Sequence, residues 1–259
     1  MEKVKIIDLI SNTISGEWGK ESLLDDTAVN VIRTANFTNF GLITFHNIVK
    51  REIEPKVIKK KQLLEGDIII EKSGGSPNQP VGRVVYFQRP NDQIYLCNNF
   101  TTILRPNKNK ISPKYLFYLL YYNYQTKKVL QFQNKTTGII NLKLDRYLES
   151  EISYERDLET QNKIVAILDK AKDILDNREQ TITKYDELLR ATFLEMFGDP
   201  VINPRKWKID SLTNYGTLKN GLNYSKDESG YKVKCIGVGD FKSFWKLTNT
   251  DTLKLILKI

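Results

Sequence analysis

Cysteine is almost absent from this chain, and its two copies, Cys97 and Cys235, stand far apart without companions. Neither a disulfide framework nor a CxxC metal site fits that usage, and a reducing cytoplasm does. Histidine occurs once, as His46, with no nucleophile or ligand set around it, so a structural role is expected for it. No stretch reaches the eighteen or so apolar residues that span a bilayer. The most apolar run, YLFYLLYYNY at 115–124, reads as a buried helix, and MEKVKIIDLISN lacks the continuous apolar core of a signal peptide. Phosphate-cradling GxxxxGK[ST] is missing, which assigns any nucleotide hydrolysis to other chains. A nuclease needs clustered carboxylates with a lysine. The nearest pattern, Glu54-Pro55-Lys56, sits beside a strand-breaking proline without an upstream acid. GDPVINP at 198–204 is not the Asn/Asp-Pro-Pro-aromatic motif of an adenine methyltransferase, and no cofactor-binding glycine turn accompanies it.

What is present is positive charge. Forty Lys and Arg face 31 Asp and Glu, a formal charge of +9 with pI near 9.3. Such an excess favours a polyanionic partner through phosphate contact and counterion release; a merely basic soluble protein is the plainer reading. The richest segment, KREIEPKVIKKK at 50–61, suits a phosphate-facing surface and a solvated edge equally.

Residues 1–155 mix short β-rich runs with turn signals, among them AVNVIRTANF at 28–37, GDIIIEK at 66–72 and GRVVYF at 82–87. The expected fold class is mixed α/β, of the α+β kind. Residues 156–198 change texture: Gly and Pro vanish before Gly198, and apolar or small residues recur at alternating steps of four and three. The series Ile164, Leu168, Ala171, Leu175, Arg178, Ile182, Tyr185, Leu189, Thr192, Met196 is a coiled-coil seam, broken at Arg178 and Thr192. About 40 residues of helix make a rod of about 60 Å, too long to bury its seam against one small domain. Ile164, Leu168, Ala171, Leu175, Ile182, Tyr185 and Leu189 are therefore expected to pair with a second helix. Gly198 supplies a left-handed cap and Pro200 forbids continuation.

A weak internal repeat flanks that helix. VKIIDL at 4–9 resembles WKIDSL at 207–212, and VNVIRTANFTNF at 29–40 resembles VKCIGVGDFKSF at 233–244, the two matches displaced by nearly the same stretch of chain. Val29, Ile32, Phe37 and Phe40 are answered by Val233, Ile236, Phe241 and Phe244, and Asn36 by Asp240. Residues 199–259 are expected to be the incomplete start of a second copy, with Ile259 answering Pro55.

Residues 66–84, GDIIIEKSGGSPNQPVGRV, describe an apolar strand, a Gly-Gly turn and a second strand. Gly74 and Gly75 permit positive φ and close approach of a partner. Lys72, Ser73, Ser76, Asn78, Gln79 and Arg83 offer hydrogen bonds to phosphates or base edges. A DNA-reading loop and an ordinary surface hairpin both fit.

The same segment, extended to GDIIIEKSGGSPNQPVGRVVYF, resembles the central signature of type I restriction specificity subunits. LLRATFLEMFGDPVINPRKWKIDSL at 188–212 is similar to the family's spacer helix running into a second target recognition domain, and ETQNKIVAIL at 159–168 to its helix start. The resemblance implies a non-catalytic DNA-binding subunit: each recognition domain reads half of a bipartite double-stranded site, and paired helices hold the halves apart. Modification subunits carrying S-adenosylmethionine would dock to methylate adenine, and motor-nuclease subunits using ATP and Mg would join for cleavage. A homodimer or a companion half-subunit through the long helix is the expected partner of the seam. The alternatives are a non-functional remnant or exchangeable cassette of such a subunit, and a coiled-coil adaptor without specific DNA reading. Within the recognition domain it points to the Lys72–Arg83 loop, with Trp18, Lys20, Arg33, Asn36 and Lys135 as further candidates for DNA contact. Trp18, between Gly16 and Gly19, suits stacking or a wedge at DNA and equally a partly buried structural position. One departure is the stretch before the helix, ISYERDLETQ at 152–161, which lacks the family's proline.

Overall fold

A computed structural model describes residues 2–21, 28–76, 79–135, 139–221, 231–236 and 254–258, in two compact units, Met1–Asp186 and Glu187–Ile259. Along the first unit run β1 (Glu2–Lys5), β2 (Ile10–Ser15), β3 (Lys20–Glu21), β4 (Val29–Ile32), β5 (Val49–Glu52), α1 (Pro55–Lys61), β6 (Ile68–Glu71) and β7 (Ser73–Gly74). These are followed by β8 (Val84–Tyr86), β9 (Tyr95–Cys97), β10 (Thr101–Pro106), α2 (Pro113–Gln125), β11 (Gln133–Lys135), β12 (Ile140–Leu142), α3 (Leu144–Leu148) and β13 (Glu151–Tyr154). The mixed α/β reading of this region holds.

Strand β6 explains the layering. Its residues Ile68, Ile69 and Ile70 are fully buried because the strand lies inside the sheet β2-β10-β6-β8 with both faces covered, which is why it reads as a continuous apolar run. Alternation sends Ile68 and Ile70, with Val84 and Leu104, toward α2, whose Leu116, Phe117 and Leu120 complete that core. Ile69, Val85 and Ile103 face the other way, onto Ile32, Tyr95 and Cys97 of the second sheet, β3-β5-β4-β9. The aromatic run at 115–124 is thus the buried helix its composition implies. β1 pairs antiparallel with β13, tying the two ends of the domain together next to the long helix.

That helix, α4, spans Leu158–Phe197, 40 residues. Its start is built by hydrogen bonds in place of a proline. Glu155 N–H donates to the Tyr115 hydroxyl (3.1 Å), and Glu155 Oε1 accepts from the amides of Arg156 and Asp157. Asp157 Oδ2 caps the helix by accepting from the Thr160 amide and hydroxyl. Those bonds hold the Asp157 carboxyl below its ordinary value of 3.8. The cap's contribution is complete above that ordinary value and disappears as pH falls through the lower folded-state value. Acid titration followed by the helical circular dichroism signal should show the α4 start fraying only below pH 3.8.

Gln161 is the fixed point of the joint. Fully buried, it accepts from the Ser112 amide at the start of α2 (2.7 Å) and donates to the Glu155 carbonyl (2.7 Å). Two turns on, Asp169 receives Lys114 Nζ (2.7 Å) and the Tyr118 hydroxyl (2.5 Å), both from α2. Burial and then the Asp169 bond raise the Tyr118 phenol, which keeps it a donor. Lys172 Nζ donates to the Phe40 carbonyl. Gln161→Leu should cost about 1–3 kcal/mol by leaving two partly buried backbone groups, the Ser112 amide and the Glu155 carbonyl, unpaired. A lowered urea midpoint and faster hydrogen exchange at the Ser112 amide would register it; an unchanged midpoint would contradict the clamp.

The seam divides in two. Ile164, expected in helix pairing, packs with Val165 against the core of its own domain, so it is withdrawn from the pairing surface. Leu168, Ala171, Leu175, Ile182, Tyr185 and Leu189 are exposed, and Ile167, Ile174 and Leu188 widen the stripe beside them.

In the second unit the helix stops where expected. Gly198 adopts φ +78°, its amide donating to the Leu194 carbonyl. The last carbonyls are also taken by side chains: Arg205 donates to Glu195 O, and the Trp207 indole to Phe197 O (2.8 Å). Beyond lie β14 (Tyr231–Cys235) and β15 (Lys254–Lys258), antiparallel with Val233 opposite Ile256. In the first unit β4 and β5 are also antiparallel neighbours, Val29 lying opposite Arg51, one residue from the register that the repeat would carry over from Ile256. Asp240, Phe241 and Phe244 of the repeat lie outside the described residues.

Candidate nucleic-acid interface

After β6 the chain leaves the central sheet. The amides of Lys72 and Ser73 both donate to Phe100 O (2.9 and 3.2 Å), and β7 then joins a different sheet, β11-β12-β7. This brings the Gly-Gly turn beside a hairpin about seventy residues away in sequence. Asn134, Asn141 and Ser73 stand opposite one another across the three strands, and so share one face. The alternate face carries Ile140 and Leu142 into the core. Ser73 Oγ donates to Asn141 Oδ1 (2.5 Å). Gly75, at φ +64°, leaves room for Val81, which an added Cβ would meet at 2.9 Å. Ser76 and Gln79 close the turn through reciprocal backbone bonds, and Gln79 Nε2 donates to Asn39 Oδ1.

A second turn meets this sheet. Thr101 donates through both amide (3.0 Å) and hydroxyl (2.7 Å) to Asn98 O, holding Asn99 and Phe100 at a tight bend. The Gly16 amide donates to Thr101 O, and that of Glu17 to Cys97 O. Three separate segments therefore form one rim. Its described stretches 72–76, 98–101, 133–135 and 139–142, with Gln79, contain Lys72 and Lys135 as their only charged residues, with no aspartate or glutamate and many amides. Such a surface offers hydrogen bonds in both directions and repels no polyanion.

The structure sorts the expected contact residues. Lys72, Ser73, Gly74, Gly75, Ser76 and Gln79 lie on or beside the rim, and Lys135 joins it on β11, opposite Ile140. Asn78 lies outside the described residues. Arg83 is corrected: its guanidinium is buried, clasping Glu71 through Nε (2.8 Å) and Nη2 (3.2 Å) and reaching the carbonyls of Thr34 and Phe37. Four hydrogen bonds engage all three of its guanidinium nitrogens. Asn36 is corrected likewise. It is 2% exposed and closes the 33–46 loop, accepting from the Arg33 amide and donating to Thr44 O and His46 O. Arg33 is half-buried and donates to Asn47 O. Trp18 is a packing residue, half-buried against Val29, Val31 and Ile53 with the Arg51 guanidinium 4.1 Å above its ring. Lys20 is exposed on β3, opposite Glu52. In the basic segment, Lys56, Lys59 and Lys60 project from α1, while Lys61 is tied to Glu17 (2.9 Å).

Sequence reading missed Phe100, Asn134 and Asn141. The Asn98-Asn99 pair before Phe100 is a turn signal that could have flagged the first; nothing local marks the other two. Burial pushes the Cys97 thiol up to about 11, so it stays protonated. Among the described residues no His, Cys, Asp and Glu group is arranged to hold a metal, and no helix is long and apolar enough to cross a membrane.

Residues 1–184 match the profile of the type I restriction modification DNA specificity domain. A curated relative, the putative type I restriction enzyme MjaX specificity subunit of Methanocaldococcus jannaschii, is 23% identical over 252 residues, which cover 90% of this chain and 56% of the relative. The chain thus spans about half of that relative's length. Among solved structures, one from a study of complex assembly and conformational transition in a type I R-M system aligns with TM-score 0.53 at 13% identity, covering 89% of this chain and 60% of that one. The type I restriction-modification S subunit of M. genitalium aligns with TM-score 0.48 at 18% identity, covering 76% and 45%.

Proposed function

Because this chain belongs to the type I restriction modification DNA specificity domain family, we propose that residues 1–155 are a target recognition domain reading one half of a bipartite duplex site. In this reading α4 is the spacer, and the chain performs no catalysis. It docks a modification subunit that uses S-adenosylmethionine to methylate adenine, while a restriction subunit using ATP and Mg joins for cleavage. The observation that carries the reading is the acid-free, amide-rich rim around Ser73, Asn141 and Asn134, built on backbone hydrogen bonds from three segments. A pre-formed surface of this kind suits base-edge readout, with flanking lysines for phosphates.

The shared antiparallel order of β4 with β5 and of β14 with β15, one residue apart in register, supports residues 199–259 as the start of a second recognition domain. The exposed stripe on α4 supports a helix partner, and we assign it to a second copy of this chain lying antiparallel.

Mapping methylated adenine in a cell carrying this chain and its modification subunit tests the reading directly. One defined bipartite sequence, modified throughout, is expected. Methylation that ignores this chain's presence would overturn the proposal. In purified form, sequence preference should survive moderate salt, whereas simple phosphate attraction fades steeply.

A further inference from the structure

Phe100 is 46% exposed, yet the residues that follow it, Thr101 to Leu104, are buried. A single exposed phenylalanine is ordinary on a protein surface. What sets this one apart is how firmly and where it is held. Its carbonyl accepts two amides, from Lys72 and Ser73, and its turn is closed by the two bonds from Thr101 to Asn98 O. Asn98 and Thr101 are themselves buried, which leaves the Phe100 backbone little freedom. The bend adjoins the row formed by Ser73, Asn141 and Asn134, on a rim whose only charges are positive. An aromatic ring projecting from such a rim loses little conformational entropy on meeting a partner.

Resting on the DNA-reading function proposed above, we propose that Phe100 is a specificity-determining contact of the recognition domain, packing its ring against base edges within the DNA groove. The neighbouring amides of Asn141 and Asn134 read hydrogen-bonding edges, and the phenyl ring supplies the apolar contact they cannot, of the kind a thymine methyl accepts. The lysines act on phosphates and carry affinity without sequence. Affinity and sequence preference are thereby divided between different residues of one rim.

The test uses the full chain with its modification subunit and a pool of random duplexes, sequenced after retention. Wild-type protein enriches one sequence. Phe100→Ala should lower discrimination at one or two adjacent base pairs about ten- to hundred-fold, the size of one good base contact. Preference elsewhere in the site and retention of non-specific duplex should persist. Phe100→Leu, which keeps an apolar side chain, should retain part of the preference, and it serves if the alanine variant folds poorly. An unchanged enriched sequence with well-folded Phe100→Ala, or undiminished discrimination with Phe100→Leu where the alanine variant folds poorly, overturns the inference. Uniform loss of binding at every position and to non-specific duplex overturns it as well, since an apolar base contact cannot act so. If wild-type protein enriches nothing, the DNA-reading function itself fails, a separate outcome.

Discussion

Arg83→Ala is expected to destabilise the recognition domain by about 3–5 kcal/mol, because it strands a buried charge. Glu71 is 2% exposed and sits at the end of β6, with both carboxylate oxygens taken by the Arg83 guanidinium. Removing the arginine also frees the carbonyls of Thr34 and Phe37. The urea midpoint of the variant should fall sharply. A double variant, Glu71→Leu with Arg83→Met, should recover most of the loss, since an apolar pair of similar volume replaces a buried ion pair at little cost. That recovery separates the present reading from a DNA-contact role. If Arg83 met phosphate or bases, the double variant would restore nothing in binding and the single variant would fold normally. Normal stability combined with lost DNA binding would return Arg83 to the surface.

Arg83 also shows where sequence reasoning ends. The strands themselves were legible: AVNVIRTANF, GDIIIEK and GRVVYF hold β4, β6 and β8, and the length and end of α4 followed from periodicity and Gly198. The direction of each polar side chain between β6 and β8 was not. In a regular strand alternation would decide it, but at Lys72 the chain leaves one sheet for another, so parity is lost there. All polar residues from Lys72 to Arg83 then look alike as donors. Glu71, beside three isoleucines, was the available sign that a buried cation was needed nearby. The rim was equally hidden, because β7, β12 and the Asn98–Thr101 turn meet through backbone groups, which leave no imprint on residue type. ETQNKIVAIL was legible as the family's helix start, and the structure supplies a reason for its Gln: Gln161 bonds the Ser112 amide at the start of α2 and the Glu155 carbonyl after β13 at once.

Helix pairing carries the other large expected effect. On α4, Leu175 and Leu189 are 62% and 69% exposed and occupy equivalent places in the stripe, two heptads apart. Neither belongs to a core cluster of the domain, so Leu175→Lys with Leu189→Lys should leave folding of the recognition domain intact. In a symmetric pair each substitution acts twice. Four lost side-chain burials of about 1.5–3 kcal/mol each remove at least about 6 kcal/mol, more than a ten-thousand-fold weakening. Light scattering should report a dimer for the wild-type chain and a monomer for the variant, with unchanged thermal unfolding of the domain. A wild-type chain that stays monomeric, alone and with its modification subunit, would refute pairing with a second copy. Antiparallel pairing carries a further consequence that a parallel one does not. Since Gln161 and Asp169 attach the recognition domain at the start of α4, an antiparallel arrangement sets two identical readers at opposite ends of the rod, related by a twofold axis. The methylated sequence must then consist of two inverted copies of one half-site. An asymmetric bipartite sequence would instead require a different recognition domain on the other helix.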